Sequence, residues 1–207
     1  MAYIGNFPTS PGFNAAKFKQ NTTTKTTTAQ SGRSIRATNS TTLWSATLNF
    51  PPLTQAEFRP IQAFIVQTKG PLNEFDIIIP TISESQSTVA GSVVATIDGD
   101  SSGANQIGDS SININTNQAG QTVLKAGDVV RFQNHTKVYM VTTDTNTDLS
   151  GNATMNIEPP LLENTTHNES ITTNNVPFRM ILSNDVQEFD YRVDNLVGYE
   201  IDVDEVL

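Results

Sequence analysis

Carboxylates at alternate positions ahead of a glycine can wrap a hard cation, and Asp98-Gly99-Asp100-Ser101-Ser102-Gly103 has the form of the first half of such a loop. No acid stands at the distance where a calcium loop closes, so the segment reads as a polar turn without a metal. The two histidines are the other candidates for chemistry. His135 and His167 fall in expected loops, neither lies near a G-x-S-x-G elbow or another recognisable nucleophile, and solvent-exposed or backbone-bonded imidazoles are the expectation. No paired carboxylates stand out from the acidic background, and no G-x-G-x-x-G or phosphate-binding lysine motif occurs. The chain has no cysteine, which removes disulfides, thiolate nucleophiles and cysteine-held metals. These residues predict a protein that is not an enzyme and needs no cofactor.

The composition points to β structure instead. Thr and Asn make up 48 of the 207 residues, and both favour strands, turns and side-chain-to-backbone bonding over helix interiors. No run of about 18 apolar residues occurs, so no membrane span is expected. The start, M-A-Y-I-G-N-F-P, lacks the regions of a signal peptide, and synthesis in the cytoplasm is the expectation.

The formal charge of -9 hides a polarity along the chain. Residues 1–70 hold seven basic side chains (Lys17, Lys19, Lys25, Arg33, Arg36, Arg59, Lys69) against one acid, Glu57. The last 23 residues hold eight acids against Arg192. Such a chain suits head-to-tail packing, in which one copy's basic arm meets its neighbour's acidic edge; the alternative is that the two ends neutralise each other within one subunit. The lysines are sparse and the whole is acidic, so DNA contact is expected only if the arm lines a channel.

Residues 1–32 include N-T-T-T-K-T-T-T-A-Q-S-G, low-complexity sequence without apolar periodicity, and read as an extended arm that orders on assembly, with Phe7, Phe13 and Phe18 as anchors. Trp44, Ala46, Leu48 and Phe50 alternate with polar residues as one face of a strand, and Trp44 is expected in the core. Thr54-Gln55-Ala56-Glu57 has the form of a capping box, which starts a helix with Phe58, Ile61 and Ile65 as its apolar stripe; Pro60 should distort its first turn and Gly70 end it. Residues 75–80 read as a short strand, and the polar stretch 83–88 as a boundary. Beyond it, Ile112 and Ile114 alternate with Asn113 and Asn115. Tyr191, Val193, Tyr199, Ile201 and Val203 predict a partly β C-terminus, with acids facing outward along an edge.

Residues 122–161 read as a β-barrel module: a turn at Ala126-Gly127-Asp128, short strands around Val129 and Val138, a turn at Ser150-Gly151-Asn152, and alternation through Ala153, Met155 and Ile157 up to Pro159-Pro160. The succession K-A-G-D, V-Y-x-V-T and G-x-A-T-x-x-I-x-P-P-L resembles a module of tailed-bacteriophage structural proteins. The segment W-S-A-T-L-N-F-P-P at 44–52, the helix after it, and G-P-L-N-E-F at 70–75 resemble distal tail or baseplate-hub components.

The fold expected is all-β, a sandwich or barrel domain carrying one helix with a second, smaller β-barrel inserted into it. Its pieces are an arm at 1–32, a main domain from 33–85 and 168–207, and the inserted barrel at 86–167. The resemblance implies a virion tail protein, a ring-forming adaptor or hub in six copies that contacts other phage tail proteins and has no membrane. A head-to-tail neck or capsid-associated protein and a carbohydrate-binding host-recognition module are the alternatives; burial of the single Trp44 counts against the last. Phe7, Phe13, Lys17, Phe18, Lys19, Lys25, Asp202, Asp204 and Glu205 are the residues expected at the assembly interface.

Overall fold

Alternation of buried and exposed residues marks strands such as Ser111–Thr116, Phe178–Leu182 and Glu200–Glu205 in this protein, which a computed structural model describes over residues 1–99 and 105–207. In chain order, β1 (Tyr3–Asn6), β2 (Ala15–Thr28), β3 (Ser34–Asn49) and β4 (Leu53–Thr54) lead into the helix α1 (Gln55–Thr68) and β5 (Glu74–Ile77). The strands β6 (Ala95–Ile97), β7 (Ser111–Thr116), β8 (Thr122–Leu124), β9 (Val129–Phe132), β10 (Val138–Val141), β11 (Thr145–Asn146), β12 (Asn152–Glu158) and β13 (Ser170–Thr172) come next. The chain then returns through β14 (Phe178–Leu182), β15 (Asp190–Tyr191), β16 (Leu196–Gly198) and β17 (Glu200–Glu205).

The main sheet has the order β1-β5-β14-β17-β3-β2, antiparallel except where β1 runs parallel to β5. Its inner face carries Trp44, Ala46, Leu48, Phe75, Phe178, Met180, Ile201 and Val203, all buried at every second position. Helix α1 covers part of this core with Phe58, Ile61 and Ile65. At its start the Glu57 carboxylate accepts from the Thr54 amide at 2.9 Å and from the Thr54 hydroxyl at 2.7 Å. The helix continues through Pro60 as one element and ends in left-handed Lys69, one residue ahead of the expected Gly70. A small sheet, β15-β16-β4, flanks it.

The second unit is a closed barrel, β10-β12-β7-β6-β13-β9, with β8 and β11 paired beside it. In β7 the residues alternate exposed and buried, which puts Ile112 and Ile114 inside with Phe132, Tyr139, Met155 and Ile157. Gly127 takes the left-handed φ of 96° and lets the Asp128 carboxylate curl back to accept from the Lys125 amide at 2.9 Å. The same carboxylate accepts from the Ser85 hydroxyl and the Gln86 amide, and so fastens the segment that crosses into the barrel. The two crossing segments also bond to each other, Val176 N to Ser83 O at 3.0 Å.

Four expectations change. Residues 1–32, expected as an extended arm that orders on assembly, lie in the subunit's own sheet: β1 and β2 form its two edges, because Phe7 and Phe18 reach its core and the Thr-rich run pairs with β3 along its length. The barrel extends past residue 167, since Ile171 on β13 is inside it. Strand β17 is not an edge but sits between β14 and β3, and its Glu205 falls on the inner face with Ile201 and Val203. His135 is buried rather than exposed. Of the calcium-like loop, residues 100–103 lie outside the described residues.

Candidate functional site

Pairing register and burial sort the nine expected interface residues into four groups. The aromatic ones are used within the subunit. Phe7 is buried among Phe13, Phe50, Phe64 and Phe75, with ring centroids 5.3 to 6.2 Å away. Phe18 stacks on Trp44 at 5.1 Å and meets the edge of Phe178 at 5.4 Å.

The second group forms a charge-matched patch on the outer face of the sheet. Lys17 lies opposite Thr47, which lies opposite Asp202; Lys19 lies opposite Ser45, which lies opposite Asp204. Directly opposed residues share a face, so two lysines and two aspartates flank one strand. The Thr47 hydroxyl donates to Asp202 at 2.6 Å and stands 3.4 Å from the Lys19 ammonium. Here basic residues from one end of the chain and acids from the other share one face of the sheet, bridged through Thr47.

Glu205 belongs to neither surface. Its carboxylate accepts from the Trp44 and Val138 amides at 3.0 and 2.9 Å and is ion-paired with Lys137 of the barrel. Burial pushes the Glu205 carboxyl up and the Lys137 ammonium down, each opposed by the attraction of the other. Around this pair the Trp44 indole donates to Val138 O at 2.9 Å, and Val129 and Val138 on the barrel wall join the core of the main sheet. A second ionic link crosses the seam, where the Asp76 carboxylate receives Arg131 from the barrel at 3.1 Å and Arg179 from the main sheet at 2.7 Å. The barrel is held to the main domain by apolar contact and two ion-paired clusters.

Lys25 alone of the nine stands clear of these contacts. It lies on the outer part of the β2–β3 hairpin, beyond the last β17 partner at Ser45, where neither β2 nor β3 has a second neighbour. With it are exposed Arg33, Ile35 and Arg36, around a turn closed by Gly32 N to Ala29 O. No acid occurs between residues 15 and 56, so the hairpin is uniformly basic.

At the other end of β3 the acids collect. A groove of about 790 Å³ opens beside Asn49, floored by Phe50, Phe189 and Tyr199 and rimmed by Glu188, Asp190 and Glu200. Tyr199 stacks on Phe50 at 5.8 Å, and its hydroxyl donates to Gln187 at 2.8 Å. Arg33, Arg36 and the groove acids were absent from the expected interface. The turn A-Q-S-G between two Thr-rich runs was the available hairpin signal; the groove had none, because three separate segments build it.

The histidines do not meet a candidate nucleophile. His135 shares a hydrogen bond with the Tyr139 hydroxyl at 3.1 Å inside the barrel, and exposed His167 accepts from the Gly99 amide at 3.2 Å. Among the described residues no group of three His, Asp or Glu is placed to hold a metal ion, and no helix is long and apolar enough to cross a membrane.

Comparison with curated proteins returns no match. Family models do match: the one described as "Distal tail protein pb9, A domain, N-terminal" covers residues 5–82, and "Distal tail protein pb9, B domain" covers residues 87–176. The division between them falls at the crossing into the barrel: one model takes the N-terminal part of the main unit, up to the crossing, the other takes the barrel, and the pair takes in most of the chain. By those two matches in sequence order, the chain belongs to the distal tail proteins of tailed phages and is a structural component of the virion tail.

Proposed function

We propose that this protein is a ring-forming adaptor at the end of the tail tube, a closed assembly of six copies built by the main domain, with the barrel turned toward neighbouring tail proteins. Its work is assembly rather than catalysis. The supporting observation is the form of the main sheet. It ends in β2, a 14-residue strand with no neighbour on its outer side, and on the other side in the short parallel strand β1. Two unlike edges offer two different surfaces, which suit repeated heterologous contacts; these give a ring where the rotation between copies closes. The firm seam with the barrel fits an adaptor that carries load between two sets of partners.

Light scattering of the purified protein, with negative-stain images of the same sample alone and mixed with tail tubes, tests this reading. Closed rings of six, or six-fold caps on tube ends, are expected. A strict monomer that does not bind tube ends would overturn it.

A further inference from the structure

The basic hairpin and the acidic groove lie at opposite ends of one strand. Arg36 and Asn49 are 13 residues apart on β3, about 40 Å at the usual rise of 3.3 Å per residue. A hairpin held that far from the groove cannot reach it in the same molecule, whereas Lys17 and Lys19, nearer the root, share the outer face of the sheet with Asp202 and Asp204, one strand away. Among the described residues the outer cations, Lys25, Arg33 and Arg36, have no carboxylate within salt-bridge reach and Glu188 and Glu200 no cation, while Asp190 meets the exposed Arg192.

We propose that the hairpin tip of one copy docks in the groove of the next copy. The occupant is a second copy of this chain because the two surfaces match in three ways. The hairpin brings three cations and no acid to a groove whose lining holds Glu188, Asp190, Glu200 and Asp202 against one cation, Arg192. It also brings an apolar side chain, Ile35, 58% exposed on a polar strand, to a floor of Phe50, Phe189 and Tyr199. Finally, the separation of the two along β3 makes the contact head-to-tail, the kind that propagates around a ring. Lys25 and Ile35 share one hairpin face, since Lys25 pairs with Ala37 and Thr27 with Ile35, while Arg36 sits on the other. A seated tip therefore turns Ile35 and Lys25 toward the groove and leaves Arg36 on its outer face.

This contact rests on the self-assembling reading above, and the test separates the two. A zero-length carbodiimide cross-link joins an amine to a carboxylate only where they touch. Treated full-length protein is expected to give covalent multimers in which peptide mass spectrometry finds Lys25 joined to Glu188, Asp190 or Glu200. Such a link must join two copies, given the distance within one. The triple variant K25E/R33E/R36E should lose the multimers, mixing it with E188K/D190K/E200K should restore them, and raising the salt should weaken them. All six positions are exposed, and circular dichroism checks that each variant is folded. Rings that persist in the triple variant, with no Lys25 link, would overturn the docking while leaving the ring. Monomers without cross-links even at high concentration that also fail to bind tube ends would overturn both, and six-fold caps on tube ends without a Lys25 link would overturn the docking alone. A hairpin that links only to another tail protein, or binds DNA in place of a second copy, would also overturn it.

Discussion

The Lys137 ammonium and the Glu205 carboxylate meet across the seam between barrel and main sheet with side chains 2% and 0% exposed. Such a pair is held in place less by its own attraction than by the cost of parting it, because either charge left alone would be buried without a partner. Glu205→Ala strips the acceptor from two buried amides and orphans Lys137, and is expected to cost about 3–5 kcal/mol in urea unfolding. The double variant K137M/E205Q keeps a carbonyl for one amide and removes both charges. It should recover a large part of that loss; equal costs for the single and double changes would show that the amides, not the charge, dominate.

Alkali should loosen the barrel through Tyr139. Burial raises this phenol from 10 to about 12. The folded state therefore holds the proton longer than the unfolded state, so the contribution is whole below pH 10 and is lost as pH rises through 12. Two pH units correspond to about 2–3 kcal/mol. Tyr199, also raised by burial, adds to the same slope in the main domain. Denaturation series between pH 9 and 12 measure the fall. Tyr139→Phe should flatten it, at a cost of about 1–3 kcal/mol at neutral pH, because the Leu162 amide and His135 Nδ1 lose their partner.

Gly151→Ala is expected to be the most damaging single methyl in the barrel. Gly151 has a φ of 88°, and a Cβ there would stand 2.3 Å from the Thr116 carbonyl oxygen. Gly120→Ala is the matched control: its φ is also positive, at 65°, but its nearest neighbour is a Leu149 methyl at 3.8 Å. The control should lose about 1–2 kcal/mol from backbone conformation alone. Gly151→Ala should lose clearly more, read as a larger fall in Tm.

Cutting the N-terminus at two places should give opposite results. Deleting residues 1–32 removes both edge strands together with Phe7, Phe13 and Phe18, and the product should not unfold cooperatively. Replacing residues 24–38 with a short Gly-Asn-Gly loop removes almost only exposed side chains and should shift stability by less than about 1 kcal/mol. Thermal melts of the two products decide this, and a well-folded 33–207 fragment would mean that the sheet does not need its edges.

Much of the local structure was legible because it depends on near neighbours. Thr54 and Glu57, three residues apart, announced the start of α1, and Gly127-Asp128 announced a turn that the backbone does make. Period-two alternation identified the inner faces of β3 and β7. In residues 15–28 the same test fails, since nearly every residue of β2 is exposed and no alternation exists to be read. Its strand is specified by β3, which supplies partners along its whole length.

By itself, then, the sequence determined a β-rich protein in two units, one helix, the turns of the barrel, and a resemblance to phage tail proteins that the family matches bear out. Only the tertiary structure decided which charges are neutralised, which are buried and which remain free. Asp202, Asp204 and Glu205 look alike in the chain, yet two lie on the outer face near lysines and one is sealed against a barrel lysine 68 positions away. A strand's alternation fixes that neighbours point to opposite faces; what waits on each face is set by register with distant strands, and that decides whether a carboxylate is solvated, paired or left open to another molecule.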